Sequence, residues 1–218
     1  MTVRYVVFDW DGTLADTYPV ISAAYKHTFE ALGMSPMEYS EIKRLTSTLA
    51  NKDMLGFIFG DKKEQAKQAY YSYIEANHKS KLRPIPHAKE LLDFCRDKGL
   101  KLYLLSNKKR TYLYEEMKYL GFADYFAKVI AAGDFPEDKP APDTVRALFG
   151  NALPNAEDIL VIGDGLADWK TSQALSHSGK NSRCVIYDPQ HNFSQASPDY
   201  VVSDVADVIS ILRKEDNE

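Results

Sequence analysis

Two aspartates stand one residue apart in Tyr5-Val6-Val7-Phe8-Asp9-Trp10-Asp11-Gly12-Thr13-Leu14-Ala15-Asp16, where an apolar run stops abruptly. Aspartate is depleted in strands, and two at a strand's end crowd like charges together. A cation must offset that repulsion: a bound metal ion, a lysine, or both. Other polar groups follow other apolar runs. Ser106, Asn107 and Lys108 follow one, Lys139 sits in Glu137-Asp138-Lys139-Pro140 beyond a second, and Gly163, Asp164, Gly165 and Asp168 follow a third. Carboxylates, a hydroxyl, an amide and an ammonium make a set suited to phosphoryl transfer. Asp9, Asp11 and Asp164 would form an oxygen-rich, anionic cluster of the kind hard Mg²⁺ prefers. No His/Cys cluster argues for zinc. A bound metal would keep the carboxylates ionised. One carboxylate can attack phosphorus, because aspartate forms acyl phosphates. The other, two residues on, can protonate the leaving oxygen and later activate water. Ser106 and nearby backbone N–H groups would hold phosphate oxygens, while Lys139 stabilises charge in the transition state.

Taken singly, each of these groups has a plain structural use. A strand-end Asp caps helices or makes turns, and Asp168 suits the first turn of a helix. Ser106-Asn107 is an ordinary turn pair, Lys139 an ordinary surface lysine, and Gly163-Asp164-Gly165 a tight turn. Their joint occurrence, each group after its own strand, is what carries the chemical reading.

The elements that must position them are legible from pattern. Apolar, β-rich runs at Val3–Phe8, Lys101–Leu105, Lys128–Ala131, Ile159–Ile162 and Cys184–Tyr187 predict strands. Helix-patterned segments at Ala88–Lys98, Tyr112–Leu120, Thr144–Phe149 and Asp168–Leu175 alternate with the later strands. Such alternation implies parallel βαβ units, and continuous apolar strands imply a sheet covered on both faces. The expected fold is a doubly wound α/β core, with ligands outside the carboxyl ends of the strands. From about Tyr18 to Arg83 the alternation breaks. Helical patterns at Pro19–Leu32, Met37–Leu45, Lys52–Phe59 and Lys62–Asn77 predict an inserted helical domain, its last helix an amphipathic surface element rich in tyrosine and lysine. The expected division is residues 1–17 and 84–218 for the core and 18–83 for the insert, with a frayed tail at Lys214–Glu218.

Composition excludes several classes. A net charge of −4 over 218 residues, with no basic run, argues against nucleic acid as a partner. No stretch approaches the roughly 18 apolar residues that span a bilayer, and the first apolar run stops at Asp9, too short for a signal core. Cys95 and Cys184 lack CxxC spacing and read as buried free thiols in a reducing compartment. A cytoplasmic protein, monomeric or homodimeric, is expected.

The segments Asp9-Trp10-Asp11-Gly12-Thr13-Leu14-Ala15-Asp16, Leu105-Ser106-Asn107-Lys108, Asp138-Lys139-Pro140-Ala141-Pro142 and Ile162-Gly163-Asp164-Gly165-Leu166-Ala167-Asp168 resemble, in order, the four motifs of haloacid dehalogenase superfamily hydrolases. Within that superfamily the chain is most similar to the phosphoglycolate phosphatase-like phosphatases. The resemblance implies Asp9 as nucleophile and Asp11 as general acid/base. It implies Mg²⁺ held by the Asp9 side chain, the Asp11 backbone carbonyl and Asp164, with Asp168 as ligand or support. It implies phosphate contacts from Thr13, Ser106 and Asn107, and Lys139 paired with phosphate and Asp9. It also implies that the insert is a small helical cap. Family dehalogenases lack an acid/base Asp at the position of Asp11, which favours phosphate chemistry here. His87 stands where the family commonly has glycine, and the turn Ser176–Asn181 is longer and more polar than usual.

A lid over an open sheet edge would exclude water, and Thr46–Lys52 is the polar stretch expected to face the crevice. Lys52 is a candidate for a substrate carboxylate or second phosphate. A small cap suits a small phosphorylated metabolite. The alternatives are a sugar-phosphate mutase and a non-catalytic binding protein on the same scaffold.

Overall fold

A computed structural model describes residues 3–46 and 54–215. Along the chain, β1 (Tyr5–Phe8) and the two-residue β2 (Ala15–Asp16) lead into four helices. These are α1 (Tyr18–Ala31), α2 (Tyr39–Thr46), α3 (Met54–Phe59) and α4 (Lys63–Asn77). The two-residue β3 (Arg83–Pro84) follows, then α5 (Ala88–Asp97), β4 (Lys101–Lys109), α6 (Arg110–Leu120) and β5 (Lys128–Ala132). The remainder runs through α7 (Pro142–Arg146), β6 (Ile159–Gly163), α8 (Leu166–Leu175), β7 (Arg183–Tyr187), β8 (Tyr200–Val202) and α9 (Ala206–Glu215). The chain divides into two compact units, Met1–Ala15 with Pro84–Glu218, and Asp16–Arg83.

The first unit is built on a sheet of six described strands in the order β5-β4-β1-β6-β7-β8, each neighbouring pair parallel. Such a sheet must be covered on both faces, which is why its strands are apolar throughout rather than alternating. Val6, Val7 and Phe8 on β1 and Leu160, Val161 and Ile162 on β6 are all buried. One face gathers Val7, Tyr103, Leu105, Ile130 and Val161 against Val145, Leu148 and Leu175 from the α7–α8 side. Each such side chain contributes about 1.5–3 kcal/mol by leaving water. From β1 the chain builds outward through β4 to β5, then crosses back to β6 on the other side. The carboxyl ends of β1 and β6 therefore flank the point where strand order reverses, the usual place for a ligand crevice.

Three differences from the pattern reading have physical causes. Strand β4 extends past Leu105 to Lys109, because Lys109 still pairs with Ala132 of β5 after a register shift. Ser106, Asn107 and Lys108 thus lie on an irregular strand end rather than in a loop. The sequence reading had no strand after Tyr187, yet β8 pairs with β7 through Val185↔Tyr200 and Tyr187↔Val202; three residues are too few to show a period. Helix α9 continues through Lys214 to Glu215, into the tail expected to fray, with Val208 and Leu212 buried.

The second unit holds α1 to α4 around an aromatic-rich core of Tyr25, Phe29, Ile42, Leu55 and Phe59. Tyr70 and Tyr71 of α4 pack against it, Tyr70 with its ring 5.1 Å from that of Tyr25. The tyrosines that mark α4 as amphipathic therefore supply its inner face. Lys52 and all but Thr46 of the polar stretch Thr46–Lys52 lie outside the described residues.

Candidate active site

Asp9 extends β1 by one residue, its backbone N–H donating to Ile162 O at 2.9 Å, and is only 6% exposed. The chain then turns back on itself. Trp10 O accepts from the N–H groups of Thr13, Leu14 and Ala15, and Gly12 takes a positive φ of 78° that a side chain would oppose. This tight turn keeps Asp11 and Thr13 beside the strand end.

Lys139 is buried, and its ammonium donates three hydrogen bonds: to Asp9 Oδ1, to Leu105 O at 3.0 Å and to Asp168 Oδ1 at 2.9 Å. All three N–H groups are thereby used. Carboxylate oxygens of Asp9, Asp164 and Asp168 lie within 4.8 Å of one another. Asp168 serves two purposes. Its Oδ2 accepts from the backbone N–H groups of Asp164 (3.2 Å) and Gly165 (3.1 Å) at the start of α8, while Oδ1 holds Lys139. It is both a helix-start residue and a site residue. Residue 163 must be glycine for this to work, since a Cβ there would sit 2.0 Å from Asp168 Cγ.

The electrostatics follow from burial. Loss of water pushes the Asp9 carboxyl well above the ordinary range; Lys139 pulls it back, while Asp168, Asp164 and Asp11 push it up further. Burial works against the Lys139 ammonium, but Asp168 and Asp9 more than offset it and hold its pKa above the ordinary value. One lysine thus faces three carboxylates and leaves the group short of positive charge. A hard divalent cation among oxygen donors fits that deficit.

Asp11 stands apart. The sequence reading grouped the Asp9, Asp11 and Asp164 carboxylates, but the clustered set is Asp9, Asp164 and Asp168. The Asp11 side chain is 27% exposed and accepts from Lys108 Nζ at 2.7 Å. Lys108 also pairs with Glu116 Oε2 at 3.0 Å, and Glu116 accepts from Trp10 Nε1 at 2.7 Å. Burial acts against the Lys108 charge, yet Asp11 and Glu116 keep its pKa above the ordinary lysine value.

Ser106 is buried, its Oγ accepting from Lys108 N at 3.2 Å, and Asn107 Nδ2 donates to Lys139 O at 2.9 Å. Thr13 Oγ1 and Asn107 Oδ1 are buried with no hydrogen-bond partner among the described residues. Leaving a buried polar group unmatched costs about 1–3 kcal/mol, so both suit contact with a polar ligand or water. The sequence places Lys108 at the second strand end without giving it a role, and Glu116 is not singled out there. A signal existed: Glu116 falls on the apolar stripe of α6 with Leu113 and Met117, at helical spacing. A carboxylate there is costly unless paired.

Residues 6–177 match the family model of the haloacid dehalogenase-like hydrolases. The chain belongs to this family. This haloacid dehalogenase-like hydrolase is 24% identical to the pyrophosphatase PpaX of Oceanobacillus iheyensis over 97% of its own length and 98% of that protein's. It is 29% identical to the phosphoglycolate phosphatase of Neisseria gonorrhoeae, over 76% of this chain and 74% of the relative. Its fold matches that of the HAD-hydrolase YfnB of Bacillus subtilis, a structure bound to magnesium, with a TM-score of 0.73 at 18% identity, covering 98% of this chain and 100% of the other. Among such relatives the chain is a phosphatase-type hydrolase, similar to the phosphoglycolate phosphatases. No described helix is long and apolar enough to cross a membrane.

Proposed function

We propose that this hydrolase cleaves a small-molecule phosphomonoester through an aspartyl-phosphate on Asp9. The observation that carries the reading is the buried Lys139 ammonium, joined to both Asp9 and Asp168 within a group of three carboxylates. No surface or packing role calls for so much buried charge. Asp9, Asp164 and Asp168, with the Asp11 carbonyl, would hold Mg²⁺, which when bound neutralises carboxylate and phosphate charge. Asp9 attacks phosphorus, forming a carboxyl O–P bond as the ester O–P bond breaks. The leaving oxygen takes its electron pair and the proton of the Asp11 carboxyl. Asp11, now a carboxylate, then takes a proton from water, whose oxygen displaces Asp9 from phosphorus and frees inorganic phosphate. Lys139 orients Asp9 and stabilises the equatorial oxygens, while Thr13, Ser106 and Asn107 contact the phosphate. Residues 18–83 would be the family's small helical cap, and Lys52 a contact for a second anionic group of the substrate. Small phosphometabolites resembling phosphoglycolate are the favoured class. Two free, buried thiols, Cys95 and Cys184, suit the reducing cytoplasm.

The test is phosphate release from p-nitrophenyl phosphate and a phosphometabolite panel that includes phosphoglycolate and pyrophosphate, with Mg²⁺ or with chelator. Turnover should require Mg²⁺, and Asp9→Asn should abolish it. Undiminished turnover in that variant, or in the presence of chelator, would defeat the reading.

A further inference from the structure

The restraint on the Asp11 side chain originates on α6. Glu116 is fully buried, although an apolar residue at that place on the helix would be cheaper. Its Oε2 accepts from Trp10 Nε1 at 2.7 Å and meets Lys108 Nζ at 3.0 Å. Lys108, only 10% exposed, passes on to Asp11 Oδ1 at 2.7 Å. Trp10 is the residue between Asp9 and Asp11, and its buried ring also meets Phe122 edge-on. One carboxylate therefore grips the acid–base residue twice: through the backbone beside it, by way of the Trp10 indole, and through its carboxylate, by way of Lys108.

We propose that Glu116 is a positioning residue which, through Lys108 and Trp10, holds the Asp11 carboxyl where it can protonate the leaving oxygen. The proposal rests on the phosphomonoester reading, because it gives Asp11 that task. A group serving only to fill the core would affect every substrate alike. A group that aims a proton donor affects those substrates whose leaving oxygen needs the proton. Nitrophenolate departs without one, whereas an alkoxide does not.

The experiment compares kcat/KM of wild type and Glu116→Gln for p-nitrophenyl phosphate and for glycerol phosphate, both with Mg²⁺. Glutamine retains an acceptor for Trp10 but carries no charge to hold the ammonium. Misplacement of a reacting group by about 1 Å costs roughly 100-fold, so kcat/KM for the alkyl ester should fall by about that factor. That for the aryl ester should change only a few-fold. Lys108→Met should reproduce the split, and Glu116→Gln combined with Lys108→Met should be no worse than Lys108→Met alone, as expected of residues acting in one chain. The double variant removes both charges, so it serves if Glu116→Gln alone fails to fold. Equal losses on the two esters, or none, would overturn the inference while leaving the phosphatase reading intact. If wild type cleaves neither ester, or Asp9→Asn remains active, the underlying reading falls and the positioning role falls with it.

Discussion

Lys139 shows how much a single side chain decides in this protein. Its three hydrogen bonds tie the ends of β1 and β4 to the first turn of α8. Sequence spacing placed Lys139 in the right company but could not say that it would touch Asp9 and Asp168 at once. Replacing it with methionine keeps the stem and removes the charge. Activity should fall about 10²–10³-fold, the range typical for loss of one preorganised electrostatic partner. Metal-free stability should fall by about 3–5 kcal/mol, because breaking a buried ion pair leaves uncompensated charge. Mg²⁺ should restore part of that loss by binding the folded state. Thermal melts of Lys139→Met with chelator and with Mg²⁺ check this; coincident melts in the two conditions would speak against a metal among the carboxylates.

Between elements, the same logic operates at the surface. His87 opens α5 with φ at 63°, the left-handed region, which is why glycine is common there and why a histidine looked out of place in the sequence. Its Nδ1 lies 2.8 Å from Asp204 Oδ1, and Asp204 also accepts from Ala206 N at the start of α9. The contact links the beginnings of two helices that pack together. The hydrogen bond to Asp204, reinforced by its charge, raises the His87 pKa above its ordinary 6.5. The same bond to His87, with the Ala206 N–H, lowers Asp204 below its ordinary 3.8. A raised histidine contributes fully below its unfolded pKa and loses that contribution as pH rises through the folded value. A lowered aspartate contributes above its unfolded pKa and loses it as pH falls through the folded one. The pair therefore stabilises most between about pH 4 and about pH 6.5. Asp204→Asn keeps the cap and removes the charge. Its melting temperature should lie below wild type at about pH 5.5 and approach it near about pH 8.5, with added salt shrinking the gap because both side chains are in part open to solvent. An equal gap at both pH values would show that the ion pair contributes nothing.

For the α/β unit as a whole, the sheet and its helices bury Cys95 on α5 and Cys184 on β7. Burial pushes the Cys95 thiol up to about 12, and pushes Cys184 upward as well. The thiolate is the reactive form, so both should resist a thiol reagent while the unit is folded. Labelling should proceed at the rate at which the unit opens, with the two cysteines reacting together in denaturant. Rapid labelling of either one in native buffer would mean that its element opens locally.

The sequence by itself determined the strand order of the chemistry. Each apolar run ends in polar residues, and a parallel sheet puts all such ends on one rim, so Asp9, Ser106, Lys139 and Asp164 were bound to converge once the runs became strands. It also determined the helical character of α1 to α4, since a period of 3.6 is a local property. What only the tertiary structure decided is which charges meet. Asp168 rather than Asp11 completes the three-carboxylate group, and Asp11 turns instead to Lys108, which also pairs with Glu116. Lys108 and Glu116 lie on neighbouring elements, but Asp11 is 97 residues from Lys108 along the chain. Such pairings are set by side-chain directions at packed elements. Local pattern fixes which face a residue occupies, and only the completed packing fixes which partner that face meets.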